Sequence, residues 1–95
     1  MEPRGELFRK VTAFLVPLGA TRIAIFGSYA RDQATGQSDL DILVQFATSK
    51  SLLELVRIER ELSELLGIKV DLLTERAISP YLIDRIKEES TVIHG

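Results

Sequence analysis

The sequence predicts an α/β protein, built as a small mixed β-sheet with helices packed on at least one face. Two observations support this fold class. Segments with apolar residues at helical spacing alternate along the chain with short apolar, strand-like runs, and glycines or polar loops separate most of them. The chain has 95 residues, of which 45% are hydrophobic, enough for one compact core. We therefore predict a single domain over residues 1–95.

The first half of the chain contains two predicted strands. Apolar side chains recur at helical spacing up to Gly19, a residue type that commonly ends helices. A run of β-branched and aromatic residues follows and breaks at Gly27, and a second apolar run comes after a polar loop. In order, we predict a helix over residues 7–18, a strand over 22–26, a short helix over 28–34, a loop over 35–38 and a strand over 39–46.

The second half begins with a long amphipathic helix. Ser51 and Glu54 have the spacing of a capping box, and Gly67 ends the helix. Its leucine-rich side is predicted to be core, although part of it could form a partner interface, and the charged run at residues 57–61 predicts a solvent-exposed face. A Ser-Pro pair at residues 79–80 is typical of a helix start. The remaining predictions are a strand over residues 69–73, a helix from residue 80 and a short strand over 91–94.

Composition excludes several classes of site. The chain contains no cysteine, so disulfides and thiolate metal sites are excluded. The formal charge is −2 and no basic stripe is present, which argues against nucleic acid as a main ligand. The first residues do not resemble a signal peptide, and no apolar run approaches the length of a membrane span. We therefore expect a cytoplasmic protein that does not bind membranes.

Two aspartates, Asp39 and Asp41, lie in the second predicted strand. Because side chains alternate between the two faces of a strand, both point the same way. Two neighbouring carboxylates in an apolar run are costly unless a positive charge lies between them, and a divalent metal ion is the commonest candidate. A tight turn at Gly27 and Ser28, just upstream, is suited to a phosphate group. Together these features indicate phosphoryl or nucleotidyl transfer.

A third acid, Asp71, lies inside the third predicted strand. If that strand neighbours the second one, Asp71 lies opposite Asp39 or Asp41, with opposed Cβ atoms about 5 Å apart. Three such carboxylates suit two Mg²⁺ ions about 4 Å apart, one activating an attacking hydroxyl and the other holding a triphosphate. Without metal the group repels itself, so we expect at least one raised pKa and coupled titration.

These residues resemble the DNA polymerase β-like nucleotidyltransferase superfamily, in particular its minimal nucleotidyltransferase (MNT) domains. The superfamily pattern is a hydrophobic residue, Gly, Gly or Ser, a spacer of about ten residues, Asp-hydrophobic-Asp, and a later third acid. The chain has Phe26-Gly27-Ser28, then Asp39-Leu40-Asp41, then Asp71. The longer family string, Gly-Ser-x-Ala-Arg-Gly followed by Ser-Asp-x-Asp, matches except that Asp32 stands where glycine is usual.

The resemblance implies a polymerase β-like core and a role for each matching residue. Asp39, Asp41 and Asp71 would be the catalytic and metal-binding acids, with two Mg²⁺ ions, and Asp71 would be the general base. Gly27 would permit close backbone approach and Ser28 would bind the phosphates of ATP, the substrate. Arg31 and Ser38 are further candidates for contacts to the nucleotide.

The resemblance also implies a partner. MNT proteins of this size are often paired with a HEPN-domain toxin, and some act as antitoxins that transfer AMP from ATP to a tyrosine of the toxin. Larger relatives carry an added helical domain that holds the acceptor. The chain contains none, so we expect the acceptor to come from another molecule.

Simpler roles for these residues, and different functions, stay open. Asp39 and Asp41 could be a salt-bridged or helix-capping pair, and Asp71 could form an ion pair with Lys69. Gly27 and Ser28 could form an ordinary strand-to-helix turn, with the serine as N-cap. The protein could neutralise its partner by complex formation without catalysis. It could also transfer a nucleotide to a small molecule or an RNA end held by another subunit, although the charge of −2 argues against RNA.

Overall fold

The computed structural model describes residues 4–27, 29–30 and 39–95. Within these ranges the chain forms three α-helices, two short 3-10 turns and four strands. In chain order they are α1 (Arg4–Leu15), a 3-10 turn (Val16–Leu18), β1 (Ala20–Phe26), β2 (Leu40–Phe46), α2 (Leu52–Leu66), β3 (Val70–Thr74), a 3-10 turn (Glu75–Ala77), α3 (Pro80–Glu88) and β4 (Thr91–His94).

The four strands form one mixed sheet in the order β3-β2-β1-β4. β1 runs antiparallel to both β2 and β4, whereas β2 and β3 are parallel. The parallel pair follows from chain order, because α2 connects β2 to β3 and a helical crossover returns the chain to the same end of the sheet. The predicted fold class, a small mixed sheet with packed helices, is confirmed.

The main core lies between one face of the sheet and helices α1 and α2. Alternate residues of β2 are fully buried on this face, among them Leu40, Ile42 and Val44. Leu15 of α1 and Leu62 of α2 are fully buried against them. Because side chains alternate along a strand, Asp41 and Leu43 point to the opposite face. The sheet therefore separates the hydrophobic core from the face that carries the acids.

The predicted boundaries of α2 are confirmed by its caps. The Ser51 hydroxyl accepts from the Glu54 backbone N–H at 3.2 Å, and the Glu54 side chain accepts from the Ser51 N–H at 3.5 Å. Gly67 adopts a left-handed φ of 71° at the other end. The predicted start of α3 at Ser79 and Pro80 is confirmed in the same way, since the Ser79 hydroxyl accepts from the Tyr81 N–H at 3.3 Å.

One prediction is left largely untested and another differs from the structure. The helix predicted over residues 28–34 lies almost wholly outside the described residues; its two described members, Tyr29 and Ala30, form a turn. The charged run at residues 57–61 is not uniformly exposed, because Ile58 is buried in the core and Glu59 is half-buried. In the part of the chain that the structure describes, no helix is both long and apolar enough to cross a bilayer.

Candidate active site

The candidate site lies at one end of the sheet, where β1 ends and both β2 and β3 begin. Gly27 directly follows β1, Asp41 is the second residue of β2, and Asp71 is the second residue of β3. The antiparallel register places Phe26 opposite Asp41, and the parallel register places Asp41 opposite Asp71. The expectation that the third acid lies on a neighbouring strand, opposite one of the first two, is confirmed for Asp41.

Asp41 and Asp71 interact directly on the face of the sheet away from the main core. The pKa of Asp41 is raised from 3.8 to about 6. Burial is the largest cause, followed by the negative charge of Asp71, a side-chain hydrogen bond between the two carboxyl groups and the charge of Asp39. The pair is therefore a site where a positive charge, either a proton or a cation, lowers the free energy of the folded protein.

Gly27 leaves the space that the Asp41 carboxylate occupies. Its φ is 74°, a left-handed conformation that side chains rarely adopt. A Cβ atom at position 27 would collide with Asp41 Oδ2 and lie 3.3 Å from its Cγ. Glycine is therefore required here for two reasons, backbone conformation and contact with the acid. The position of the Asp41 carboxylate therefore depends on the absence of a side chain in the turn after β1.

Asp39 lies close enough for its charge to raise the pKa of Asp41, but its own carboxylate is paired with a lysine. It precedes β2, and its Oδ2 lies 3.7 Å from Lys69 Nζ in an ion pair whose two side chains are largely exposed. Across residues 4–27, 29–30 and 39–95, no three acidic or histidine side chains form a group arranged to hold a metal ion. The structure thus brings Asp41 and Asp71 together, leaves Asp39 beside them, and pairs Lys69 with Asp39 rather than with Asp71.

The donor set at this site fits a divalent cation such as Mg²⁺. Carboxylate oxygens are the ligands that hard divalent ions prefer. Asp41 and Asp71 present such oxygens from opposed positions, and their mutual repulsion is already expressed in the raised pKa of Asp41. An exposed ion pair such as Asp39–Lys69 contributes little to stability, typically under about 1 kcal/mol. Asp39 can therefore exchange its lysine for a metal ion at small cost.

Four further positions singled out in the sequence lie outside the described residues. These are Ser28, Arg31, Asp32 and Ser38. Their proposed contacts to the nucleotide stay predictions of the sequence.

Two residues of α2 that sequence reasoning did not select contact the strand that carries Asp71. Glu59 Oε2 accepts from the Leu72 backbone N–H at 2.8 Å, and Ser63 Oγ accepts from the Val70 N–H at 3.0 Å. The only sequence signal for such a pair is its spacing of four residues, which puts Glu59 and Ser63 on one side of a helix. That signal is common and does not indicate a strand edge.

Comparison with known proteins identifies similar chains. A family model described as a nucleotidyltransferase domain matches residues 6–93. A Methanocaldococcus jannaschii protein, to which protein adenylyltransferase activity has been ascribed, is 51% identical over 86 residues, covering 90% of this chain and 92% of its own. The protein adenylyltransferase MntA of Thermococcus cleftensis is 38% identical over 71 residues, with coverages of 75% and 72%.

Solved structures share the fold. One regarded as a minimal nucleotidyltransferase is 35% identical, with a TM-score of 0.77 over 93% of this chain and 89% of its own. A toxin–antitoxin complex with AMP-PNP gives a TM-score of 0.85 at 24% identity, over 93% and 73% of the two chains. A complex of a tri-AMPylated Shewanella oneidensis HEPN toxin with its MNT antitoxin gives 0.81 at 22% identity, over 98% and 73%. At these lower identities the likeness concerns the fold alone.

Proposed function

The chain belongs to the nucleotidyltransferase domain family, and on that basis we propose that it transfers AMP from ATP to a hydroxyl group of a protein. We further propose that the acceptor is a tyrosine of a HEPN-type toxin, so that the chain acts as an antitoxin. The observation that carries the proposal is the in-register pair Asp41 and Asp71 beside Gly27. Two opposed carboxylates can hold a divalent ion of the kind that assists phosphoryl transfer, and the adjacent turn has no side chain to block it.

The proposed metal ligands are Asp41 and Asp71, joined by Asp39 once it leaves Lys69. The sequence resemblance favours two Mg²⁺ ions, and both would be held by this set. When bound, the metal supplies positive charge to the phosphates and acidifies the acceptor hydroxyl. Gly27 leaves the Asp41 carboxylate reachable, because a side chain at that position would occupy its space.

The proposed transfer is an in-line displacement at the α-phosphorus of ATP. A bond forms between the acceptor oxygen and the α-phosphorus, and the bond from the α-phosphorus to the bridging oxygen of the β-phosphate breaks, releasing pyrophosphate. The hydroxyl proton passes to the carboxylate of Asp71, the proposed general base. Ser28, followed by Arg31 and Ser38, would contact the phosphates; these roles rest on the sequence motif.

Support for a protein acceptor comes from the relatives. The T. cleftensis relative is named a protein adenylyltransferase, and activity of this kind is ascribed to the M. jannaschii protein with 51% identity. Solved structures of the same fold include toxin–antitoxin complexes, one with AMP-PNP and one with an AMPylated HEPN toxin. For this chain the HEPN partner and the tyrosine acceptor are proposals.

The proposal is tested by label transfer. The protein is incubated with α-³²P-ATP, Mg²⁺ and a HEPN-domain protein of the same organism, and the label on the toxin is measured. We expect the wild type to label the toxin and the Asp39→Asn, Asp41→Asn double variant to leave it unlabelled. Mass spectrometry of the labelled toxin should show an AMP adduct on a tyrosine. Equal labelling by the double variant would overturn the proposed site, and no labelling by the wild type would overturn the proposed activity.

A second candidate function is neutralisation by binding alone. It is favoured by apolar side chains of α2 that the fold leaves exposed, chiefly Leu52 at 76% and Leu53 at 82% exposure, with Val56 and Leu65 about half exposed. It is also favoured by the ion pair in which Lys69 occupies the carboxylate of Asp39. If binding alone suffices, the Asp39→Asn, Asp41→Asn double variant still rescues cell growth from the toxin, whereas Leu53→Asp does not.

A further inference from the structure

The strand that carries Asp71 lies at one edge of the described sheet. β3 pairs with β2 on one side only. Along such a strand, successive N–H groups point alternately to the neighbouring strand and away from it. The Lys69 carbonyl accepts from the Leu40 N–H on the β2 side. The N–H groups of Val70 and Leu72, which flank Asp71, both point to the outer side.

Side chains of α2 satisfy both of these outer N–H groups. The Leu72 N–H donates to Glu59 Oε2 at 2.8 Å, and the Val70 N–H donates to Ser63 Oγ at 3.0 Å. Ser63 also donates to the Glu59 backbone carbonyl at 2.8 Å, one helical turn earlier. Asp71 thus lies between two backbone amides that one helix holds in place.

The helix that provides these contacts is itself fixed by the core. Ile58, next to Glu59, is buried, and Leu62, next to Ser63, is fully buried. A hydrogen bond from an amide to a carboxylate is shorter and stronger than one between neutral groups. Glu59 therefore makes the stronger of the two links between a rigid helix and the edge strand, and it makes that link at the residue directly after Asp71.

We propose that Glu59 is a positioning residue for nucleotide transfer. By accepting from the Leu72 N–H it holds β3 so that the Asp71 carboxylate stays opposite Asp41. The inference rests on the proposed function of Asp71 and adds a residue that acts through the backbone of β3. Displacement of a reacting group by about 1 Å can cost about a hundredfold in rate, so loss of this one contact has a measurable effect.

Two substitutions at position 59 distinguish the effect of side-chain length from the effect of the negative charge. Glu59→Gln keeps the length of the side chain and an acceptor oxygen but removes the charge. Glu59→Asp keeps the charge but shortens the side chain by one methylene, so that it no longer reaches the Leu72 N–H. Glu61, exposed on the same helix, provides matched controls as Glu61→Gln and Glu61→Asp. Circular dichroism confirms that each variant is folded.

The experiment measures three quantities for each variant. They are amide hydrogen exchange at Leu72, the Kd for Mn²⁺ without nucleotide, and kcat and KM for ATP in toxin labelling. For Glu59→Asp we expect faster exchange at Leu72, weaker Mn²⁺ binding and a kcat lower by about tenfold or more, with KM for ATP within about twofold. Glu59→Gln is expected to stay within about threefold of the wild type, and both Glu61 variants to match it.

The inference is overturned if Glu59→Asp keeps wild-type kcat and Mn²⁺ affinity, or if Glu59→Gln is as impaired as Glu59→Asp. Either outcome would leave the proposed function intact. The proposed role of Asp71 fails separately if Asp71→Asn binds Mn²⁺ like the wild type, whereas the proposed activity fails if the wild type does not label the toxin. In the first case faster exchange at Leu72 in Glu59→Asp would show only a structural role, which also rejects the inference.

Discussion

Asp41 and Asp71 occupy opposed positions on neighbouring parallel strands, and their carboxyl groups hydrogen-bond to each other. Burial and the negative charge of Asp71 oppose ionisation of Asp41, so its pKa is raised to about 6. The sheet holds the two acids together in spite of their repulsion, because Leu40 and Ile42, which flank Asp41 on β2, are fully buried in the core. The stability of the metal-free protein and its affinity for metal are therefore linked through this pair.

The first prediction concerns the sign of two stability changes in Asp71→Asn. Without metal at pH 8, loss of one charge relieves repulsion and raises the free energy of unfolding by about 1 kcal/mol. With Mg²⁺ at a hundredfold excess over Kd, the wild type gains about 2.7 kcal/mol, or roughly 10 °C in Tm, and the variant gains almost none. Calorimetry with and without Mg²⁺ measures both changes. Asp84→Asn, on an exposed position of α3, is the control, and a variant that keeps the full Mg²⁺ shift would contradict the prediction.

The second prediction is a pH dependence with a defined sign. Because the pKa of Asp41 is raised from 3.8 to about 6 in the folded protein, the native state binds more protons than the unfolded state between these values. The contribution of Asp41 to stability therefore falls as the pH rises through this window and is constant above it. Urea unfolding of the metal-free wild type and of Asp41→Asn from pH 4 to pH 7 measures the difference. The prediction is contradicted if the difference in free energy of unfolding between the two proteins is independent of pH, or if it shifts in favour of the wild type as the pH rises.

The third prediction uses two glycines with nearly the same backbone conformation. Gly27 and Gly67 have φ values of 74° and 71°, but only a Cβ at position 27 would meet the Asp41 carboxylate, whereas nothing lies within 4 Å of a Cβ at position 67. Gly67→Ala should cost about 1–2 kcal/mol of stability through backbone strain and keep the metal-induced shift in Tm. Gly27→Ala should cost more and lose the metal response as well. Thermal unfolding with and without Mn²⁺ compares them, and equal metal responses would refute the role of Gly27.

The fourth prediction separates fold stability from the site. Ser51→Ala removes the hydroxyl that caps α2 and should lower the free energy of unfolding by about 1 kcal/mol. Ser51 belongs to the loop that follows β2, whereas the acids lie at the start of that strand, so Mn²⁺ affinity should be unchanged. Chemical denaturation and a metal titration on the same sample test this. A large loss of Mn²⁺ affinity would mean that α2 and the site are coupled more strongly than we infer.

Sequence reasoning succeeds best where local physics decides the structure. The caps at Ser51, Gly67 and Ser79 act within a few residues, so their spacing predicts where helices begin and end. The opposition of Asp71 and Asp41 is predictable because both interrupt apolar strands, and acids in such positions are stabilised when they share a cation. The order of the elements then permits only a few arrangements of the four short strands.

The contacts that sequence reasoning misses depend on how elements cross in space. The sequence allows Lys69 as a partner for Asp71, but β3 begins after Lys69 and the ammonium group lies beside Asp39 instead. Glu59 falls within a run predicted to be solvent-exposed, because a charged residue between an isoleucine and an arginine carries no sign of a strand edge. Its partner is a backbone N–H thirteen residues away, and only the crossing of α2 over β3 brings them together.

The most direct test of the central claim is the rate of AMP transfer by Asp71→Asn relative to Asp84→Asn. Both variants replace one aspartate with asparagine, and only the first removes an acid from the pair with Asp41. In single-turnover labelling of the toxin with α-³²P-ATP and saturating Mg²⁺, we predict wild-type rates for Asp84→Asn and a loss of about a hundredfold or more for Asp71→Asn. Equal rates for the two variants would contradict the claim that Asp41 and Asp71 form the catalytic centre.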